Sequence, residues 1–423
     1  MKKMKLVMVG NGMAGVRTLE ELLKIAPDLY DITVFGAEPH PNYNRVLLSP
    51  VLAGEQTLDE IILNPLSWYA AHGITLHLGK TVTQIDRVRR RVVARDGHGE
   101  EVWADYDRLL IATGSSPFMP PLPGAGLAGV IAYRDIADTQ AMIDAAATYR
   151  HAVVIGGGLL GLEAANGLQQ RGMQVTVVHL NDSLMERQLD PVAAELLRES
   201  LRARGLDFRL GARTQALLGD AAGRVRAVQL ARSGDALADV PEKVSEEVPA
   251  ELVVVAAGIR PNTALAESAG LLCHRGIVVT DTLQTVTDPR IYAVGECAAH
   301  RGVAYGLVAP LFEQGRVCAT HLAQVGIGRY TGSQVSAKLK VTGIDLFSAG
   351  QFAGGADTEE IVMRDPLAGV YKKLVIRDDR LVGACLYGDT ADGAWYLALL
   401  REGRPIHDIR DQLMFGPAAA TAP

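Results

Sequence analysis

The chain has 423 residues, of which 48% are hydrophobic and 21% charged, and its formal net charge is -6. That length suits two or three domains with ample core material, and the acidic balance argues against a nucleic-acid partner. No apolar run approaches the ~18 residues of a membrane-crossing helix, so no membrane span is expected.

In chain order, Lys5-Leu6-Val7-Met8-Val9 is a short apolar run that reads as a strand. The lysines before it suggest the start of a signal peptide, but the apolar stretch is short and runs straight into glycines. With no export signal, the cytoplasm is the expected location. Gly10-Asn11-Gly12-Met13-Ala14-Gly15 follows, then helical spacing over residues 16–23, then a second strand, Asp31-Ile32-Thr33-Val34-Phe35. The same order returns as Ala152-Val153-Val154-Ile155, Gly156-Gly157-Gly158-Leu159-Leu160-Gly161, a helix over 162–168 and the strand Gln174-Val175-Thr176-Val177-Val178. In such a motif the first glycine makes a tight turn, the second lets the backbone approach a pyrophosphate, and the third lets the helix pack on the strand. The pyrophosphate then rests on N–H groups at the positive end of the helix. One G-x-G-x-x-G is a weak signal; two, each in its full strand–helix–strand setting, point to two bound dinucleotides.

An acid about 20 residues past the glycines binds the ribose hydroxyls in this arrangement. In the first copy the place after the strand holds Gly36, and Glu38 is the nearest acid, so Glu38 is expected on the adenosine ribose. In the second copy the place holds His179, with Asn181, Asp182 and Arg187 following. A carboxylate there favours NADH and an arginine NADPH; a histidine decides neither, and the preference stays open.

Phe118-Met119-Pro120-Pro121-Leu122-Pro123-Gly124 reads as a stiff crossing between domains. The charged stretch Pro241-Glu242-Lys243-Val244-Ser245-Glu246-Glu247 reads as a surface hairpin or loop. Tyr371-Lys372-Lys373-Leu374-Val375-Ile376 and Leu381-Val382-Gly383-Ala384-Cys385-Leu386-Tyr387 read as strands joined by the turn Arg377-Asp378-Asp379-Arg380. A helix is expected over 394–401, and disorder over 416–423. The four cysteines, at 273, 297, 318 and 385, form no C-x-x-C or C-x4-C pair. A disulfide framework or a protein-bound iron–sulfur cluster is therefore not expected; the four read as small buried hydrophobes, Cys297 being the one to watch. None of the ten histidines has metal-ligand spacing, and Cys273-His274 reads as a structural turn, so no metal is expected.

Three further segments complete a pattern: Leu109-Leu110-Ile111-Ala112-Thr113-Gly114-Ser115, residues 252–262 around Gly258, and Ile291-Tyr292-Ala293-Val294-Gly295-Glu296-Cys297. With the two fingerprints they resemble the two-dinucleotide flavoprotein reductases, the superfamily of ferredoxin, rubredoxin and glutathione reductases. Residues 41–50, the Gly-Glu-Cys variant and residues 338–343 are similar to the N-terminal flavin module of assimilatory NAD(P)H nitrite reductase large subunits. They are similar also to the electron-transfer subunit of assimilatory nitrate reductase.

The resemblance implies an α/β fold: two Rossmann-like dinucleotide-binding domains in the three-layer, glutathione-reductase-like arrangement, with a C-terminal α+β domain. It implies an FAD-binding domain at 1–117 and 249–325, an NAD(P)-binding domain at 118–248 and a C-terminal interface domain at 326–423. The implied FAD contacts are Gly10, Gly12, Met13, Ala14, Gly15, Glu38, Arg45 (phosphate or ring), Ser49, the backbone at Val82 (adenine), Ala112, Thr113, Gly114, Gly295 and Glu296, the last standing where the family usually has Asp. The helix start at Pro310, Leu311 and Phe312 would face the flavin pyrimidine edge, its positive end stabilising negative charge there. The implied contacts to NADH or NADPH are Gly156, Gly158, Leu159, Leu160, Gly161, His179, Arg187 and Gly258.

In such proteins hydride passes from nicotinamide C4 to flavin N5 and the cofactor carries the chemistry. Disulfide-reducing members place a C-x4-C pair near residue 45, absent here, so electrons would leave the flavin directly. Ferredoxin reductases pair a lysine with a glutamate beside the flavin; here Pro50 stands where the lysine aligns, while Glu163 remains, either to position the nicotinamide or to support its helix. Without the cysteine-rich cluster and sirohaem regions of complete nitrite reductases, the chain is expected to be the electron-input component for a nitrite or nitrate reductase partner, and a homodimer is left open. The alternatives are a rubredoxin or ferredoxin reductase and a non-turnover, NAD(P)H-sensing flavoprotein.

Overall fold

The computed structural model describes residues 3–232, 246–339, 341 and 343–420. The chain divides into two compact units. One comprises Met1–Arg45, Leu58–Ser116 and Ile259–Ser333, the other Val46–Thr57, Pro117–Gly258 and Gln334–Pro423.

The first unit is built on a five-stranded parallel sheet, ordered Ile291–Ala293, Arg108–Ile111, Met4–Val9, Tyr30–Gly36, Thr75–Leu78. Leu6, Val7, Met8 and Val9 are all buried, an unbroken apolar run because both faces of a parallel sheet are covered. The helix Met13–Ile25 follows at once and buries Gly15, Leu19 and Leu22, the three-to-four spacing that lays one stripe on a core. The helix Val308–Leu322 packs closely on it: a Cβ at Gly315 would stand 3.1 Å from Thr18 Oγ1. Thr81–Asp86, Arg91–Arg95 and Glu101–Asp105 form a separate antiparallel sheet.

The second unit repeats the plan. Its parallel sheet is ordered Val130–Ala132, Leu252–Val255, His151–Ile155, Gln174–Val178, Leu206–Arg209. The helix Leu159–Gln170 follows the central strand, and Ala212–Gly219, Val225–Arg232 and Glu246–Pro249 make the companion antiparallel sheet. A further five-stranded antiparallel sheet is ordered Ser336–Ala337, Leu346–Gly350, Arg380–Tyr387, Val370–Arg377, Glu359–Asp365. Asp378 and Asp379 both have positive φ, 49° and 56°, the two-residue turn whose twist suits a hairpin. The helix Gly393–Glu402 covers this sheet, Gly393 lying so near Phe347 that a Cβ would meet its ring at 2.8 Å. The architecture is the expected one: α/β, two Rossmann-like domains and a C-terminal sheet domain.

The expected boundaries differ in three places. The strand Leu252–Val255, expected after the return at 249, pairs with His151–Ile155, so the second unit extends to Gly258. Residues 46–57, expected with the first domain, belong to the second. The reason is packing: Leu52 fills the notch left by Gly167, where a Cβ would stand 2.7 Å from Leu52 Cγ, and Arg171 Nη2 donates to the Val51 carbonyl at 3.1 Å. Residues 334–423, which carry the C-terminal sheet, group with the second unit. Tyr371 donates to Asp190 at 2.5 Å, Lys373 Nζ lies 3.7 Å from the same carboxylate, and Ser200 bonds Tyr387 at 2.5 Å. The expected loop over 241–247 lies outside the described residues except for its last two, which begin the strand Glu246–Pro249. The tail expected to be disordered starts with a short helix, Pro417–Ala420, while residues 421–423 lie outside the described residues.

Candidate functional site

The first glycine loop leaves the sheet at Gly10, whose φ is +102°. A side chain there would also collide with the Ala112 carbonyl oxygen at 2.2 Å, so only glycine fits. Gly12 is the N-cap of the helix Met13–Ile25, which carries no side-chain cap and no acid in its first turn. A Cβ on Gly12 would meet nothing within 4 Å. The loop therefore offers uncapped N–H groups, the positive helix end and open space, the setting an anionic pyrophosphate requires. Met13 and Ala14 open the helix. Gly15 faces inward, where a Cβ would stand 2.8 Å from Met8 Sδ and 2.9 Å from Ala112 Cβ.

Around this loop the expected residues fall into bonded groups. Glu38 accepts from Tyr43 Oη at 2.7 Å and forms an ion pair with Arg45, so two residues assigned separate contacts hold one another. The pair is partly exposed and contributes about 0–1 kcal/mol. Thr113 Oγ1 donates to the Asn262 carbonyl, and Asn262 Nδ2 returns a bond to the Thr113 carbonyl, both at 2.9 Å. Asn262 N–H also donates to the Gly114 carbonyl at 2.9 Å. Ser115 Oγ donates to Glu296 Oε2 at 2.7 Å, and the Gly295 N–H donates to the fully buried Gln314 at 2.9 Å. Val82 lies buried on its strand just before a register shift. Pro310, Leu311 and Phe312 occupy the start of the helix Val308–Leu322, which has no side-chain cap either. Cys297 is wholly buried, its thiol 3.3 Å from the Val294 carbonyl, and burial pushes its pKa up; it is an inert packing residue. Of the other cysteines 318 and 385 are buried and 273 half-buried.

The second loop repeats the plan of the first at its first two glycines. Gly156 has φ +129°, and a Cβ there would stand 2.3 Å from the Ala256 carbonyl oxygen. Gly158 caps the helix Leu159–Gln170 with no side-chain bond and has nothing within 4 Å of an added Cβ. Leu159 and Leu160 open that helix. Gly161 sits tighter than Gly15: a Cβ would lie 2.0 Å from the Gly156 carbonyl oxygen. Gly258 also has positive φ, +108°, and its carbonyl accepts from the Phe118 N–H at 2.8 Å. His179 Nδ1 accepts from the Gly157 N–H at 3.1 Å and Nε2 faces Glu186 Oε2 at 3.0 Å. Arg187 is exposed. Glu163, largely buried, accepts from Ser49 Oγ at 2.8 Å, and Ser49 in turn bonds Tyr133 Oη at 3.1 Å. Burial pushes the Tyr133 phenol up, so it stays protonated and donates. Glu163 is thus engaged by the hydroxyl of Ser49, the residue before Pro50.

Both loops thus fit a dinucleotide pyrophosphate. Four supporting residues escaped the sequence reading: Asn262, Gln314, Tyr43 and Glu186. Asn262 ends the segment 252–262, but its bonds reach across 149 residues, which no local pattern reveals. Glu186 lies seven residues past His179, beyond the position that follows the strand, and meets it only through the fold of the loop.

Residues 4–329 match the family model described as pyridine nucleotide-disulphide oxidoreductase, and residues 336–404 match that of the rubredoxin NAD+ reductase C-terminal domain. The assimilatory nitrate reductase electron transfer subunit of Bacillus subtilis (strain 168) is 46% identical over 98% of this chain and 51% of its own length. The nitrite reductase [NAD(P)H] of the same organism is 46% identical over 96% of this chain and 48% of its own length. The chain therefore spans about half the length of these relatives. Among solved structures, the covalent putidaredoxin reductase–putidaredoxin complex superposes with a TM-score of 0.82 at 27% identity, covering 95% of this chain and 94% of that one. Two glycine loops of one geometry, the sheets that carry them and the match over residues 4–329 lead to one conclusion: the chain belongs to the pyridine nucleotide-disulphide oxidoreductase family, the FAD-dependent NAD(P)H oxidoreductases.

Proposed function

We propose that this chain is an electron-input flavoprotein module: it takes reducing equivalents from NADH or NADPH into FAD and hands them to a partner redox protein, the catalytic component of a nitrite- or nitrate-reducing system. The observation that carries the reading is the paired loop geometry, open at Gly12 and Gly158 and closed at Gly10 and Gly156. In this reading the first unit holds FAD and the parallel sheet of the second holds the nicotinamide dinucleotide. Flavin, when bound, supplies the hydride acceptor at N5 and the onward release of electrons.

The residues have distinct tasks. The N–H groups at the starts of helices Met13–Ile25 and Leu159–Gln170 bind the two pyrophosphates. Glu38, kept in place by Tyr43 and Arg45, binds the FAD adenosine ribose. Glu296, held by Ser115, binds the ribityl chain. Asn262 fixes the backbone at Thr113 and Gly114 beside the loop. Glu163, fixed by Ser49, positions the nicotinamide. With no C-x4-C pair near residue 45, electrons pass outward without a dithiol relay.

Anaerobic titration with NADH and with NADPH tests this reading: flavin bands at ~450 nm should bleach. A protein that retains no flavin after FAD is supplied defeats it. The match of residues 336–404 to the rubredoxin NAD+ reductase C-terminal domain favours a second acceptor class. Steady-state assays with rubredoxin, a small ferredoxin and a nitrite or nitrate reductase component separate the two.

A further inference from the structure

The strand Gln174–Val178 ends where a dinucleotide fold normally places its ribose-reading acid, and His179 stands there instead. Because His179 Nδ1 accepts the Gly157 N–H, the neutral ring carries its proton on Nε2 and donates it to Glu186 Oε2 at 3.0 Å. The ring lies against the glycine loop itself: a Cβ on Gly157 would stand 2.8 Å from His179 Cγ. Glu186 rides on a loop fixed at several points. The Met185 N–H donates to the Gly157 carbonyl at 3.0 Å, and the Gln188 and Leu189 N–H groups donate to the Met185 carbonyl at 2.7 and 2.8 Å. Met185 itself has φ 51°. The loop ends at Asp190, which caps the helix Pro191–Ala203 through the Ala193 N–H at 3.0 Å and accepts from Tyr371 Oη. Glu186 is nevertheless reachable, with 35% of its side chain exposed.

We infer that Glu186, held against the second glycine loop by His179, reads the 2′-position of the adenosine ribose and makes the protein prefer NADH to NADPH. The inference rests on the proposed function, in which that loop holds the nicotinamide dinucleotide. A carboxylate accepts hydrogen bonds from ribose hydroxyls and repels a 2′-phosphate. Partial burial pushes Glu186 up, but the bond from His179 and others outweigh it and the carboxyl is held below its usual value; it is therefore charged at neutral pH. His179 is the positioning residue, with Glu186 making the contact that the residue after the strand normally makes. Arg187, next in the chain and exposed, is the competing reader and would give the opposite preference.

The test is calorimetric binding of NAD+ and of NADP+ to the FAD-loaded full chain, alongside anaerobic reduction by NADH and NADPH. The wild type should bind NAD+ about tenfold more tightly than NADP+. Glu186→Gln should weaken NAD+ about fivefold while tightening NADP+, with flavin content unchanged, and Glu186→Asp should restore part of the preference. His179→Ala should shift the ratio in the same direction as Glu186→Gln. A wild type that prefers NADP+, or a Glu186→Gln protein whose two affinities change together, overturns the inference while leaving the proposed function standing. If neither nucleotide binds or bleaches the flavin, the proposed function falls and the inference with it.

Discussion

The two glycine loops share a backbone and differ in what surrounds it. At the first and second glycines they are interchangeable: a Cβ added to the first would stand 2.2 or 2.3 Å from a carbonyl oxygen, and one added to the second would meet nothing within 4 Å. At the third they part. A Cβ on Gly15 would meet the side chains of Met8 and Ala112, whereas one on Gly161 would stand 2.0 Å from the Gly156 carbonyl oxygen. The residues after the second strand differ more: Glu38 is clasped by Tyr43 and Arg45, while His179 relays to Glu186. On the proposed function, pyrophosphate binding would be a property of the backbone and repeat, whereas ribose reading would be a property of side chains and diverge.

The strongest way to break this comparison is at the third glycine. Gly161→Ala drives a Cβ into backbone and should cost about 3 kcal/mol or more, whereas Gly15→Ala meets the end of the flexible Met8 side chain and the Ala112 methyl and should cost about 1–2 kcal/mol. Thermal unfolding of the two variants measures the gap; equal losses would remove the distinction.

The second glycines sharpen it. Gly12→Ala and Gly158→Ala should leave the unfolding free energy within about 0.5 kcal/mol of wild type, since an added Cβ touches nothing. Each should weaken one dinucleotide about tenfold or more: FAD retention in Gly12→Ala and NAD+ binding in Gly158→Ala. The reverse pattern would exchange the assignment of the two loops.

Ser49→Ala tests the polar chain that belongs to the second loop alone. Removing the hydroxyl takes a donor from largely buried Glu163 and a partner from Tyr133, a loss of about 1–3 kcal/mol in urea unfolding. An unchanged midpoint would mean that Glu163 is satisfied without Ser49.

The smallest effect concerns acid. In the first unit, burial pushes Asp288 up, but the Arg290 guanidinium at 2.8 and 2.9 Å and its N–H at 3.1 Å, with Arg87 beyond, hold the carboxyl below its usual value. A depressed folded-state pKa contributes stability that is present above the unfolded value of about 3.9 and is lost as pH falls through the folded one. Unfolding midpoints at pH 6 and pH 3 should therefore fall more in wild type than in Asp288→Asn. A parallel fall in both would remove Asp288 from the account.

Much of this was legible in residue order. Apolar runs ending in G-x-G-x-x-G announce buried parallel strands and their helices, because glycine at a positive φ and an amphipathic spacing are local requirements. The hairpin turn at Asp378-Asp379 and the helix after residue 393 were equally local. What the chain order concealed were pairings across long separations: Asn262 with Thr113, Ser49 with Glu163, Asp190 with Tyr371, each more than 100 residues apart.

The sequence by itself determined that two dinucleotide folds exist, where their loops lie and that no C-x4-C relay joins them, because those properties depend on neighbours in the chain. Only the tertiary structure decided that residues 46–57 and 334–423 pack with the second fold, and that a glutamate seven positions past the histidine meets its ring. Those outcomes depend on which apolar surface finds a notch to fill and which buried carboxylate finds a donor, and neither is settled before the chain closes on itself.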